Sequence, residues 1–286
     1  KKHARGLTLT PDHEVYTARG RVRADDVVVG DCILTDEPDL TGDALCAVLG
    51  TLLGDSKISV SPTQKERGGK PYSAAIVLGH VVESGLTRDK VRHLRQINFT
   101  AGNYKSKGGY GPHTMAVARS SAMRQIAAVL PRLYDADGSR RLRLDVLNDL
   151  GAVGLAWWFM DDGNLGKRHD GKDRMELALC RYPDADKLAA QKWFIDRYGH
   201  HVTLDKRGSL RFSRKASLAL AAEIAPHVLP SARYKLPRFV PWAPYVKTSE
   251  PPRPLAVRVR AVRAFALGRD STRQRQIAGR RYCLTT

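Results

Sequence analysis

Two apolar segments, each ending in aspartate and separated by a long repeat, constrain this chain most. The first is Leu45-Cys-Ala-Val-Leu-Gly-Thr-Leu-Leu-Gly-Asp55, and the second is Gly154-Leu-Ala-Trp-Trp-Phe-Met-Asp-Asp-Gly163. In the first, apolar residues at 45, 48, 49, 52 and 53 form one helical stripe, with Gly50 and Gly54 one turn apart. Glycine inside a helix costs up to about 1 kcal/mol relative to alanine. The pair therefore implies that a second backbone approaches where no Cβ intervenes. The apolar run is too short to span a bilayer, which removes a membrane dimer as the explanation. A carboxylate at the negative end of a helix dipole also needs a compensating cation.

The surrounding elements recur in the same order. The first copy is expected to have an opening helix at 43–55, a strand near 73–80 and a helix to about 97. A strand near 113–119 and a helix at 120–134 follow. The second copy has a helix at 146–162, a strand at 174–181, a helix at 184–198, a strand at 208–213 and a helix at 216–228. The fold class expected is α+β: a tandem repeat of two αββαββα halves, 43–145 and 146–246, with four antiparallel strands in each half forming a saddle.

The flanks differ. Residues 1–36 read as short strands and turns, and 255–286 return to β-like alternation, as in Leu-Ala-Val-Arg-Val-Arg. The acidic, turn-rich stretch around 37–42 and the end of a proline-rich stretch at 247–254 read as linkers. That layout suggests a domain inserted into a loop of another, whose halves are 1–36 and 255–286.

Charge narrows the partner. The chain has 286 residues, with 48 Lys and Arg against 29 Asp and Glu, a net charge of +19. That field favours a polyanion, nucleic acid before others. The hydrophobic fraction of 42% excludes a disordered chain. Cys32, Cys46, Cys180 and Cys283 form no CxxC pair, so neither a zinc site nor a disulfide framework is expected. With no membrane-length apolar run and no signal core, a cytoplasmic setting (bacterial, phage or archaeal, not secreted) is expected.

Asp162 lies 107 residues beyond Asp55, one repeat. If the two helices pack side by side, these carboxylates meet at their ends. Two acids so close cannot both stay ionised without cations, so they are expected to bind Mg²⁺. Paired metals can activate water and stabilise a leaving oxygen in phosphodiester hydrolysis, and one carboxylate per half suits one cut per DNA strand.

Leu-Gly-Thr-Leu-Leu-Gly-Asp and Trp-Phe-Met-Asp-Asp-Gly resemble the two motifs of single-chain LAGLIDADG homing endonucleases, over about 43–246. The resemblance implies that Asp55 and Asp162 share two or three divalent ions, and that the protein is a monomer with pseudo-twofold symmetry on a long, specific site in double-stranded DNA. Gly50, Gly54, Ala156 and Asp161 then belong to the helix interface. Ser56 departs from the family's usual glycine.

Pro230-Ser-Ala-Arg-Tyr-Lys-Leu-Pro237 is similar to the family segment that carries a core lysine, which maps to Lys235. The first half offers Arg140 or Arg141 there, and an arginine holds charge without readily shuttling protons. His80 and Arg181 stand at matching strand ends, where the family often places a polar or basic residue. Basic residues expected to reach DNA are Lys65, Arg67, Lys70, Lys105, Lys107, Lys167, Arg168, Lys172, Arg181, Arg211 and Lys215.

Thr10-x-x-His13, followed by Val-Gly-Asp31, and Arg281-Tyr-Cys-Leu-Thr285 resemble the Hint domain of inteins, with Thr10, His13 and Cys283 at its splicing positions. No nucleophilic Cys or Ser precedes Thr10 at the family's distance, and no terminal His-Asn follows Thr286. The expectation is a fragment that does not splice. The sequence therefore points to a metal-dependent DNA endonuclease of intein origin. The alternative is a LAGLIDADG-fold DNA-binding protein or degenerate intein without cleavage activity.

Overall fold

The computed structural model describes residues 6–9, 11–17, 19–38, 40–61, 71, 73–106, 113–166, 173–238, 240–242, 254–258, 261–266 and 280–285. The chain divides into two compact units, Lys1–Asp39 with Glu250–Thr286, and Leu40–Ser249. Elements are numbered in chain order.

Among its described residues the first unit is built of β-strands, with one 3-10 turn at Ala24–Asp26. Its N-terminal segment carries β1 (Gly6–Leu9), β2 (Glu14–Thr17), β3 (Gly20–Arg23) and β4 (Cys32–Pro38). Its C-terminal segment carries β13 (Pro254–Arg258), β14 (Ala261–Ala266) and β15 (Arg280–Thr285). The two segments interleave in sheets of order β1-β15-β14 and β13-β4-β2-β3. Thr8 stands opposite Cys283, and Ile33 opposite Val257. β4 runs through Pro38, so the acidic stretch read as linker is strand over its first part. Its partner is β13 of the distant C-terminal segment, which local composition does not reveal.

The second unit holds the repeat. Its first half is α1 (Gly42–Leu53), β5 (Lys57–Ser59), β6 (Ala75–Val81), α2 (Leu86–His93), β7 (Phe99–Ser106), β8 (His113–Ser120) and α3 (Arg124–Leu133). After α4 (Leu144–Asp149), the second half is α5 (Gly151–Asp162), β9 (Gly163–Gly166), β10 (Arg174–Ala178), α6 (Asp184–Tyr198), β11 (Val202–Leu204), β12 (Ser209–Phe212) and α7 (Arg214–Ile224). The sheets are β5-β6-β8-β7 and β11-β12-β10-β9, each antiparallel. In both halves the fourth strand lies between the second and third, so the halves share topology as well as element order.

Burial explains the layers. Leu49, Leu52, Leu53, Trp157, Trp158 and Phe159 are buried on α1 and α5, with Ile76, Leu78, Phe194 and Phe212 packed in the same core. Inward positions alternate along β6 and β10, as expected for sheets covered on one face. The single helix expected over 146–162 is two. Gly151 takes a left-handed φ of 56°, which ends α4 and lets α5 leave in a new direction. Among the described residues, no helix is long and apolar enough to cross a membrane.

Candidate active site

α1 and α5 meet at their glycines. A Cβ on Gly50 would collide with the carbonyl of Gly154, and one on Gly154 would come within 2.9 Å of the Cys46 carbonyl oxygen. A Cβ on Gly54 would overlap the Asp161 side chain. Backbone contact of this kind needs glycine on the facing surface. Ala156 is fully buried in the same core.

The two helix ends bring Asp55 and Asp162 onto one cation. Arg181 Nη2 lies 3.2 Å from Asp55 Oδ1 and 3.4 Å from Asp162 Oδ1, while its Nη1 donates to the Gly54 carbonyl at 2.9 Å. The Asp162 side chain is only 7% exposed. Burial pushes its carboxyl up to about 7; Arg181 opposes this, and the negative charges of Asp55 and Asp161 add to it. The Trp158 indole N–H, 3.3 Å from Asp162 Oδ2, supplies a neutral dipole.

Asp161 has a different environment. It takes Lys90 Nζ at 2.5 Å and His80 Nε2 at 2.9 Å on Oδ1, and the Thr51 hydroxyl at 3.1 Å and the Asp55 amide at 3.3 Å on Oδ2. Burial acts to raise its carboxyl, but Lys90 and His80 outweigh that and hold it low. Lys90 is wholly buried, bonds the Thr51 hydroxyl at 2.7 Å and lies 5.3 Å from the centre of the Trp157 ring. The His80 Nδ1 is occupied by the Thr87 hydroxyl at 2.9 Å.

Two further cations serve the helix backbones. Arg140 donates to the carbonyls of Leu53, Gly54 and Ser56 at 3.3, 2.9 and 2.8 Å, and the Tyr182 hydroxyl donates to that of Leu53 at 2.6 Å. Lys235 plays the same part on α5, donating to the carbonyls of Met160 and Asp161 at 2.7 and 3.0 Å. Each therefore opposes the negative end of a helix dipole. Desolvation lowers the Lys235 ammonium, against the pull of Asp161 and Asp55. Arg141 instead pairs with Asp186 and Asp135, so Arg140 is the arginine at the end of α1.

Asp55, His80, Asp161, Lys235 and Lys57 line a cleft of about 880 Å³ against the first-half sheet. Donor atoms of Asp55, His80 and Asp161 lie within 4.8 Å of one another. Asp161 is nonetheless poorly suited to a metal, because a buried ammonium already holds its charge. The Asp55 and Asp162 carboxylates suit a hard cation better. They are oxygen donors at two negative helix ends, and burial raises one of them.

Lys105 is exposed on β7, Arg211 on β12 and Lys215 on α7. Arg211 pairs with Asp205 and Glu176. Lys65, Arg67, Lys70, Lys107, Lys167, Arg168, Lys172 and Thr10 lie outside the described residues, as does the Cys283 side chain; His13 is exposed. Lys57 and Lys90 are contributors that sequence reading misses. For Lys90 a signal existed: with Leu86 and Leu94 it falls on one helical face, and both leucines are buried.

The family model for "LAGLIDADG DNA endonuclease family" matches residues 46–218. Among curated relatives, Protein RecA of Mycolicibacterium flavescens is 27% identical over 248 residues, covering 82% of this chain and 56% of that protein. Protein RecA of Mycobacterium gastri is 28% identical over 249 residues, covering 82% and 57%. The chain thus spans about half the length of these relatives. Among solved structures, the homing endonuclease I-WcaI bound to its DNA recognition sequence aligns with a TM-score of 0.58 at 16% identity, covering 69% of this chain and 87% of that one. At that identity the likeness is one of fold. With more than half of its length matched by the family model, the chain belongs to the LAGLIDADG DNA endonuclease family.

Proposed function

We propose that this chain is a site-specific endonuclease that hydrolyses both strands of a long target in double-stranded DNA, acts as a monomer, and derives from an intein. The observation that carries the reading is the convergence of Asp55 and Asp162, one from each half, at the ends of paired helices in a protein of net charge +19. Asp55 and Asp162 would hold Mg²⁺, which supplies activated water and charge stabilisation to phosphodiester hydrolysis.

The chain's own residues supply the rest. Arg140 and Lys235 hold the helix ends in register, each on its own helix. Lys235, whose ammonium gives up its proton more readily than usual, is suited to move a proton on one side; Arg140 supplies fixed charge on the other. Arg211 and Lys105 sit on strands of the two sheets of the second unit, where they would contact phosphate or base edges in the major groove.

The intein reading rests on the discontinuous β unit, whose two segments, on either side of the LAGLIDADG unit in sequence, pair as β1 with β15 and β4 with β13. Relatives named RecA that extend beyond this chain support an element carried within a host protein. The test is incubation of the purified chain with a plasmid library carrying randomised inserts, in Mg²⁺ and in EDTA. Linear products that share one sequence, formed only with Mg²⁺, support the proposal. Binding without cleavage under any divalent ion would replace it with the DNA-binding alternative.

A further inference from the structure

Among the described residues, Lys90, Arg140, Lys235 and Arg181 are cations at the helix ends, and the first three are committed elsewhere. Lys90 holds Asp161, Arg140 holds the carbonyls ending α1, and Lys235 holds those ending α5. Arg181 differs, because its guanidinium lies against both carboxylates assigned to the metal. It reaches them from the turn after β10, with Nη2 at 3.2 Å from Asp55 and 3.4 Å from Asp162. We propose that Arg181 is an internal placeholder cation, which neutralises Asp55 and Asp162 together and must leave both before a divalent ion binds them.

The inference rests on the metal reading of these two acids. The geometry favours exchange over permanent bridging. Charge-assisted N–H···O bonds are strongest near 2.7–2.9 Å, and both contacts to the acids are longer than that. The short bond of Arg181 goes to the Gly54 carbonyl through its other nitrogen, so the side chain stays anchored beside the site. Its side chain is 36% exposed, so water can reach the guanidinium. A hard dication on carboxylate oxygen is held by charge and coordination that a guanidinium cannot match. Both cations cannot occupy the same oxygens, and a guanidinium that stayed would repel the ion at close range. A phosphate backbone supplies the anion that would receive the displaced arginine, which couples metal loading to DNA arrival.

The test is calcium titration by isothermal calorimetry on the full chain without DNA, at pH 8.5. Wild type is compared with Arg181→Gln, and with Arg181→Met should the glutamine variant not fold. The expected result is calcium binding at least about tenfold tighter in the variant. In EDTA the variant should also melt below wild type, because two carboxylates lose their countercharge, and saturating calcium should close that gap. Equal or weaker calcium binding by the variant, with binding lost in Asp55→Asn, overturns the placeholder and leaves the metal site standing. Calcium binding that survives both Asp55→Asn and Asp162→Asn, or binding in no variant, overturns the metal reading and this proposal with it.

Discussion

Lys90 and Asp161 form an ion pair across the two halves, Nζ to Oδ1 at 2.5 Å, with neither side chain exposed to solvent. Asp161 stands one residue before Asp162, as Gly54 stands before Asp55. The first half thus fills this place with hydrogen, and the second fills it with a charge that the first half neutralises. Removing one partner of a buried pair strands the other. Lys90→Met or Asp161→Asn should each lower unfolding free energy by about 3–5 kcal/mol, and the double variant should recover most of that loss. Guanidinium denaturation of the three variants checks this.

The glycine contacts give a second expectation. Alanine at Gly50 would meet the Gly154 carbonyl, and alanine at Gly54 would meet Asp161; neither neighbour can easily yield. Each should destabilise by about 1–3 kcal/mol through overpacking. Gly79→Ala is the control, since its Cβ would meet only Val117 at 3.9 Å. A thermal shift at Gly79 as large as at Gly50 would contradict the close-packing account.

Asp162 sets a pH dependence whose sign is fixed. Its carboxyl is raised by burial to about 7, above its ordinary value of 3.8. The stability this group contributes is full below 3.8 and is lost as pH rises through about 7. In EDTA, Asp162→Asn should therefore melt above wild type at pH 8.5 and close to it at pH 4, as read by calorimetry. Divalent ions compete with the same proton, so calcium affinity should rise between pH 6 and pH 8.

The paired backbone clamps are chemically unequal. Arg140 makes three bonds to carbonyls around the end of α1, whereas Lys235 makes two on α5 and carries a lowered ammonium. Arg140→Met should cost stability, about 1–3 kcal/mol for the orphaned carbonyls. Lys235→Met should slow cleavage of one strand more than the other. Nicked plasmid accumulating in a time course with Lys235→Met, and less so with Arg140→Lys, is the expected readout.

The helices that end in aspartate are legible in the sequence because close packing leaves a local mark: glycines one turn apart within an apolar stripe. The order of elements in the halves is legible because the repeat states it twice. β7 is not legible, since positions 100–105 are all exposed and nothing alternates. β9 is hidden by its composition, Gly163-Asn-Leu-Gly166. The break at Gly151 depends on one residue's φ rather than on hydropathy. At the site, Asp55 and Asp162 can be read from spacing, but the Lys90–Asp161 pair joins residues 71 apart on different halves. Arg181 can be located at a strand end, yet only the fold shows that it faces both acids.

In the proposed mechanism Asp55 and Asp162 together hold the divalent ion that activates water for DNA hydrolysis. The most direct measurement is cleavage of a supercoiled plasmid bearing the selected target, with Mg²⁺, by wild type, Asp55→Asn and Asp162→Asn at equal DNA occupancy. The account predicts linear product from wild type and none from either variant, with DNA binding retained. Linear product at wild-type rate from either variant would contradict it.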